Sequence, residues 1–232
     1  MGKDVIIALD FPGAQQTFDF LDKFAGDRKP FVKIGMELFY AAGPSVVNEI
    51  KARGHKIFLD LKLHDIPNTV KGGMKSLSGL DVDMVNLHAA GGSEMMKAAV
   101  EGVTRADGTR PLVIAVTLLT SLSEEMVKNE LLINGGTENA VKSYAQNAQA
   151  SGLDGVVCSP LEAAAIKAVC GEGFMTVTPG IRFADGSKDD QQRIMTPEKA
   201  KVSSDYIVVG RPITAAGDPV AAYERCIAEF VG

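Results

Sequence analysis

Eight short apolar runs, each followed by a longer stretch with helical spacing, constrain the fold of this chain more than any other feature. The runs occupy residues 4–10, 30–35, 56–63, 83–88, 111–117, 154–158, 174–179 and 205–210. Between them, segments such as 44–53, 93–103, 138–151 and 218–230 carry apolar residues three and four apart, with Gly or Asn near several ends. Strands separated by helices call for parallel pairing through right-handed crossovers. Eight such units within about 250 residues match a closed (β/α)8 TIM barrel. An open, doubly wound sheet is the structural competitor.

The chain has 232 residues, 46% of them hydrophobic, which suffices for one large core. No run rich in Pro, Gly or Ser and no charge block marks a linker, so a single barrel domain over residues 1–232 is expected. The first apolar run, Val5-Ile6-Ile7-Ala8-Leu9, is too short for a signal segment or a membrane span, and no membrane association is expected. Cys158, Cys170 and Cys226 are an odd set without CxxC spacing. Neither a disulfide framework nor a zinc site is indicated, and a cytoplasmic location is expected. The net charge of -5 argues against nucleic acid as a partner.

Active sites of such barrels collect at the carboxyl ends of the strands, and chemistry-capable residues of this sequence fall there. Asp10 closes the first run, Lys33 lies late in the second, Asp60 and Lys62 end the third, and His88 ends the fourth. The densest stretch, Asp60-Leu61-Lys62-Leu63-His64-Asp65-Ile66, sets two carboxylates around one ammonium. Side chains alternate along a strand, so Asp60 and Lys62 should point the same way with Phe58 below them. A satisfied salt bridge with Asp65 starting the next helix is the plain structural reading. Scattered core polar residues, however, would not favour one end of every strand.

Two further clusters speak to a ligand. After the eighth run, Gly210 allows close backbone approach, Arg211 supplies a forked donor, and Pro212 suits the first turn of a short helix. Barrels of this type commonly keep a phosphate site there. After the seventh run, residues 180–193 are polar and rich in turn formers, with Arg182 near the start and Gln191 near the end, which reads as a mobile lid. No Walker A loop, GxGxxG turn or HExxH helix is present, so neither a nucleotide cofactor nor zinc is implied.

These residues carry a resemblance. Asp60-x-Lys62-x-x-Asp65-Ile66, Lys33, Pro179-Gly180-Ile181-Arg182, Asp190-Gln191-x-Arg193-Ile194-Met195-Thr196-Pro197 and Val209-Gly210-Arg211-Pro212 resemble, in order, the orotidine 5'-monophosphate decarboxylases of the compact bacterial type. The resemblance implies a cofactor-independent, metal-free barrel homodimer that converts orotidine 5'-monophosphate to uridine 5'-monophosphate and carbon dioxide in de novo pyrimidine synthesis. It implies an alternating charged tetrad of Lys33, Asp60, Lys62 and Asp65, with Asp65 reaching into the partner's site and Lys62 as proton donor. Asp10 and Lys33 would hold ribose hydroxyls, and Thr69 would add a contact across the interface. Ile66 and Pro179 would lie against the substrate, and Thr120 or Ser121 would meet the pyrimidine edge. Gln191 would bridge base and phosphate, with Arg182, Gly210 and Arg211 on the phosphate.

The chemistry explains these residue types. Loss of carbon dioxide from C6 leaves a carbanion in the ring plane, orthogonal to the π system, so the delocalisation a pyridoxal or thiamine cofactor offers is not available. An ammonium aimed at C6 can stabilise that charge and then donate the proton. Burial would neutralise Lys62, but at about 4 Å and an effective dielectric near 20 each neighbouring carboxylate contributes roughly 4 kcal/mol in the other direction. Lys62 is therefore expected to stay protonated. Repulsion between Asp60, Asp65 and the substrate carboxylate is a contested second contribution.

Three rivals share parts of the pattern. Sugar-phosphate decarboxylases and synthases of the same superfamily hold magnesium with a carboxylate on strand two, where this chain has Lys33, a poor neighbour for a divalent cation. A Schiff-base aldolase would need a neutral lysine, which flanking carboxylates oppose. A silent nucleotide-binding protein fits poorly with an intact tetrad.

Overall fold

The computed structural model describes residues 2–26, 28–185 and 195–232. The apolar runs form β1 (Asp4–Ala8), β2 (Phe31–Gly35), β3 (Ile57–Leu63), β4 (Met84–His88), β5 (Leu112–Val116), β6 (Gly155–Val157), β7 (Met175–Thr178) and β8 (Tyr206–Val209). They close in sequence order into one parallel barrel, β1 pairing with β8. The helices are α1 (Ala14–Leu21), α2 (Met36–Ala42), α3 (Ser45–Ala52), α4 (Pro67–Ser78), α5 (Gly92–Val103), α6 (Glu124–Asn129), α7 (Thr137–Ala150), α8 (Ala163–Cys170), α9 (Pro197–Ala200), α10 (Arg211–Thr214) and α11 (Pro219–Phe230). Asp10, Thr117, Cys158, Pro179 and Gly210, expected as strand ends, lie one or two residues past the strands, with Thr117 and Cys158 still donating their N–H groups to the Val157 and Val177 carbonyls.

The strands read as continuous apolar runs because both faces are covered. In β1, Ile6 and Ala8 face the barrel interior with Phe31, Phe58, Met84, Ile114, Met175 and Tyr206, while Val5 and Ile7 face the helices. The interior is thus a filled core. Phe31 and Tyr206 meet edge to face there, with centroids 6.0 Å apart. Around it, α4 and α5 approach closely because Gly102 has no side chain: a Cβ would come within 2.3 Å of the Lys71 carbonyl oxygen. The start of α11 is fixed by Asp218, whose carboxylate accepts from the N–H groups of Val220 and Ala221, with Pro219 in the first turn.

The amino ends of the strands carry a repeated device. Asp83, Asp154 and Asp205 stand immediately before β4, β6 and β8, and each accepts a hydrogen bond from a backbone N–H at the start of the preceding strand. The donors are Ile57 at 2.8 Å, Val113 at 2.7 Å and Thr176 at 2.8 Å. Each carboxylate also takes a cation from a helix or loop: Lys51 at 3.0 Å, Arg110 at 2.9 Å and Lys167 at 2.6 Å.

One departure from regular geometry lies at the other end. β3 pairs with β4 as Leu59↔Val85 and then as Leu63↔Leu87, so residues 60–62 stand opposite Asn86 alone. Lys62 adopts φ 53°, a left-handed conformation uncommon for a residue with a Cβ. The simple alternation expected through Asp60 and Lys62 is therefore interrupted by a bulge.

Candidate active site

Two strand ends and the loop after β1 bring four charges into one row. Lys33 Nζ lies 3.1 Å from Asp10 Oδ1 and 3.3 Å from Asp60 Oδ2, and Lys62 Nζ donates to Asp60 Oδ1 at 2.7 Å. The register Ala8↔Lys33 and Gly35↔Asp60 places these residues at one level of the barrel. Gly35, which the sequence reading passed over, makes room for the row: a Cβ there would stand 3.0 Å from Lys33 Nζ and 3.4 Å from Asp10 Oδ1.

Burial works against both central charges, and each is kept by the other. Desolvation would push the Lys33 ammonium toward the neutral form, but Asp60 and Asp10 outweigh it and hold its pKa above the ordinary lysine value. Desolvation would likewise raise Asp60, which is 7% exposed, yet Lys33, Lys62 and the Asn86 amide hold it below the ordinary carboxylate value. The Asn86 side chain donates to Asp60 Oδ1 at 2.7 Å and accepts from the Lys62 backbone N–H at 2.8 Å. Asn86 was also missed from sequence; its one signal was a polar amide in the middle of an apolar strand. His88 follows on the same strand, its ring 5.4 Å from that of His64. Burial first, then His64 and Lys62, push its pKa below the ordinary histidine value.

The expected tetrad is only partly assembled within this chain. Asp65 Oδ1 accepts from the Ile66 N–H at 2.6 Å, and Asp65, Ile66 and Thr69 are all exposed. Among the described residues of the chain, the row ends on Asp10 and not on Asp65.

A cleft of about 370 Å³ adjoins the row, lined by Asp10, Lys33, Pro179, Arg182, Gly210 and Arg211 among others. Arg182 is buried, and its guanidinium donates to the Ile181 carbonyl at 2.9 Å. The base of the loop after β7 is pinned: Arg182 N–H donates to Met195 O at 3.1 Å, and Met195 N–H to Gly180 O at 3.2 Å. Gln191 and the rest of residues 186–193 of the expected lid lie outside the described residues. A Cβ at Gly210 would meet only Ala8 and Asp10 side chains at 3.6 and 3.9 Å, so the space the glycine leaves belongs to the cleft. Arg211 is exposed at the start of α10. Thr120 is half-buried and Ser121 exposed in the loop after β5. A larger hollow, about 660 Å³, opens at the amino ends of the strands, but Asp83 and Arg110 in its wall are committed to the strand-start device.

The arrangement suits a ligand with an anionic group at the arginine end and charge developing near the lysine row. Among the described residues, no group of three or more His, Cys, Asp or Glu side chains is placed to hold a metal ion. No helix among them is long and apolar enough to cross a membrane.

Comparison with known proteins agrees with this geometry. Orotidine 5'-phosphate decarboxylases of Bacillus cereus (strain Q1) and Bacillus cytotoxicus are each 55% identical over 236 residues, spanning 100% of this chain and 99% of theirs. The crystal structure of orotidine 5'-phosphate decarboxylase from Lactobacillus acidophilus superposes with a TM-score of 0.88 at 46% identity, covering 99% of this chain and 100% of that one. An uncharacterized conserved protein from Geobacillus kaustophilus superposes with a TM-score of 0.86 at 49% identity, covering 97% of this chain and 99% of that one. The family model of the orotidine 5'-phosphate decarboxylase / HUMPS family matches residues 3–226, and the chain belongs to that family.

Proposed function

We propose that this chain is a carboxy-lyase that converts orotidine 5'-monophosphate to uridine 5'-monophosphate and carbon dioxide in pyrimidine biosynthesis. The observation that carries the reading is the Lys33–Asp60–Lys62 row beside an arginine-lined cleft, in a chain 55% identical over its full length to decarboxylases of that name. Lys33 also favours this branch of the family over magnesium-dependent sugar-phosphate enzymes. It occupies the strand-two position with its ammonium against Asp60 and Asp10, where a divalent cation would meet a like charge.

Each residue then has a role. Arg182, Arg211 and the Gly210 backbone grip the phosphate, Asp10 and Lys33 the ribose hydroxyls, and Pro179 and Ile66 pack on the ligand. Thr120 or Ser121 meets the pyrimidine edge, and Gln191 bridges base and phosphate. The C6–carboxylate bond breaks, carbon dioxide leaves, and the electron pair stays on C6 in the ring plane. The Lys62 ammonium stabilises that pair and transfers its proton to C6. Asp60 holds Lys62 from one side at 2.7 Å. Phosphate binding far from C6 lends its energy to organising this row, so it appears in the rate.

The reading extends to a single barrel domain over residues 1–232, working in the cytoplasm as a homodimer without a metal or cofactor and without nucleic acid partners. Asp65, exposed three residues beyond Lys62, would complete the tetrad of the neighbouring subunit, with Thr69 adding a contact across the interface.

Loss of orotidine 5'-monophosphate absorbance, followed with purified protein in the presence of a chelator, tests the reaction: steady turnover is expected, and turnover only on adding magnesium would move the chain to the sugar-phosphate branch. Mixing inactive Lys62→Ala with inactive Asp65→Ala under subunit exchange tests the shared site. Random pairing makes half the dimers hybrid with one intact site in two, so activity should recover to roughly a quarter of wild type. Verified exchange with no recovery would keep Asp65 out of the neighbouring site.

A further inference from the structure

We infer that Asn86 is a positioning residue of the reaction, one that sets the Lys62 ammonium against the Asp60 carboxylate through the bulge it sustains. The inference rests on the decarboxylase reading with Lys62 as the proton donor.

Three residues of β3, Asp60 to Lys62, stand opposite this one residue of β4. A bulge of that size removes backbone groups from the ladder, and a buried N–H without an acceptor is costly. The Lys62 N–H is the group displaced, and its acceptor is the Asn86 side-chain oxygen at 2.8 Å. The other half of the same amide donates to Asp60 Oδ1 at 2.7 Å, the oxygen that also receives Lys62 Nζ. Asp60 Oδ1 thus carries two donors, while Oδ2 faces Lys33 at 3.3 Å. Because one partner is a donor and the other an acceptor, only one orientation of the amide satisfies both. Asn86 is 1% exposed, so no solvent replaces either bond.

One planar group therefore ties the backbone of the proton donor to the carboxylate that orients its ammonium. Without it, a regular strand would be the relaxed state of β3, and Lys62 would leave the left-handed conformation that aims it. Isosteric leucine would fill the space yet strand a buried N–H and a carboxylate lone pair. The burial of Asp60 makes the second loss felt, since its ionised form depends on Lys33, Lys62 and this donor together.

The test compares Asn86→Ala and Asn86→Asp with wild type on three readings: kcat for orotidine 5'-monophosphate, dissociation constant for uridine 5'-monophosphate, and thermal unfolding. Asn86→Asp keeps the volume and the acceptor for Lys62 N–H but sets a second carboxyl against Asp60, and so serves if the alanine variant does not fold. A folded variant should lose about 10- to 100-fold in kcat while product affinity, dominated by the distant phosphate, stays within about threefold. A folded variant with kcat within about threefold of wild type would overturn the proposal. So would a parallel loss of kcat and product affinity, or failure of both variants to fold, since each marks a merely structural residue. A wild-type protein without turnover would instead sink the decarboxylase reading, and this inference with it.

Discussion

The two ends of the barrel use the same residue types to opposite purposes. At the amino ends, Asp83, Asp154 and Asp205 each bind a backbone N–H of the neighbouring strand as well as one cation, so every charge is locked to the ladder. At the carboxyl ends, Asp10, Lys33, Asp60 and Lys62 hold one another through side chains, and the backbone bond at Lys62 is diverted to Asn86. A carboxylate satisfied by main chain has little left to offer a ligand and much to offer the fold. An ammonium whose one partner among the described residues is a neighbouring carboxylate keeps donors to spare. Charge placement alone does not separate structural from reactive sites here; the source of the hydrogen bonds does.

Substitution at each end should break this division if it is wrong. Lys62→Ala removes the group proposed to supply both electrostatic stabilisation and the proton, and kcat should fall by at least about 10⁴-fold. Its affinity for uridine 5'-monophosphate and its denaturant midpoint should stay close to wild type. Product affinity collapsing while turnover at saturation survives would make Lys62 a binding residue.

At the opposite end, Asp205→Ala leaves the Lys167 ammonium, 7% exposed, with two backbone carbonyls and no paired carboxylate among the described residues. The expected loss is about 3 kcal/mol of stability by urea unfolding, with kcat of the folded fraction unchanged. Wild-type stability with impaired catalysis would invert the comparison.

The smallest expected effect concerns pH. Asp60 is held below the usual carboxylate pKa, so its contribution is full above the unfolded value near ~3.9 and fades as pH falls through the folded one. Lys33 is held above the usual lysine pKa, so its contribution is full below ~10.4 and fades as pH rises through the folded value. Lys33 and Asp60 should therefore contribute no slope to unfolding free energy between about pH 5 and 9. Urea midpoints measured for wild type and for a Lys33→Met, Asp60→Leu double variant should differ by a constant across that window. A difference that changes with pH there would mean one of the two groups titrates inside it.

Much of the barrel was legible because its strands are buried on both faces and its helices are not. That contrast writes period and run length into the sequence, and helices expected over 44–53, 93–103, 138–151 and 218–230 fall within about two residues of α3, α5, α7 and α11. The parallel closure followed from the alternation. The helix α4 was harder to see, since Gly72 and Gly73 depress helical propensity. Gly73 sits where a Cβ would stand 3.0 Å from a Leu63 methyl, a packing demand no local pattern reveals. Lys33, Asp60 and Lys62 could be placed together by strand position alone. Asn86 and Gly35 could not, because one acts through a bulge and the other through an absent side chain. Asp83, Asp154 and Asp205 were visible as first residues of their runs, yet their partners lie on other strands.

The left-handed backbone at Lys62 carries a consequence for any attempt to improve the protein by selection. A residue with a Cβ at φ 53° costs about 1 kcal/mol relative to glycine, and that cost falls on the position of the proposed proton donor. Lys62→Gly would relieve that backbone cost while losing the chemistry and one of the two cations that hold Asp60 ionised. A library ranked by folding alone has no means of keeping this lysine, and a screen that rewards thermal tolerance without turnover is free to drift toward an intact, inert barrel.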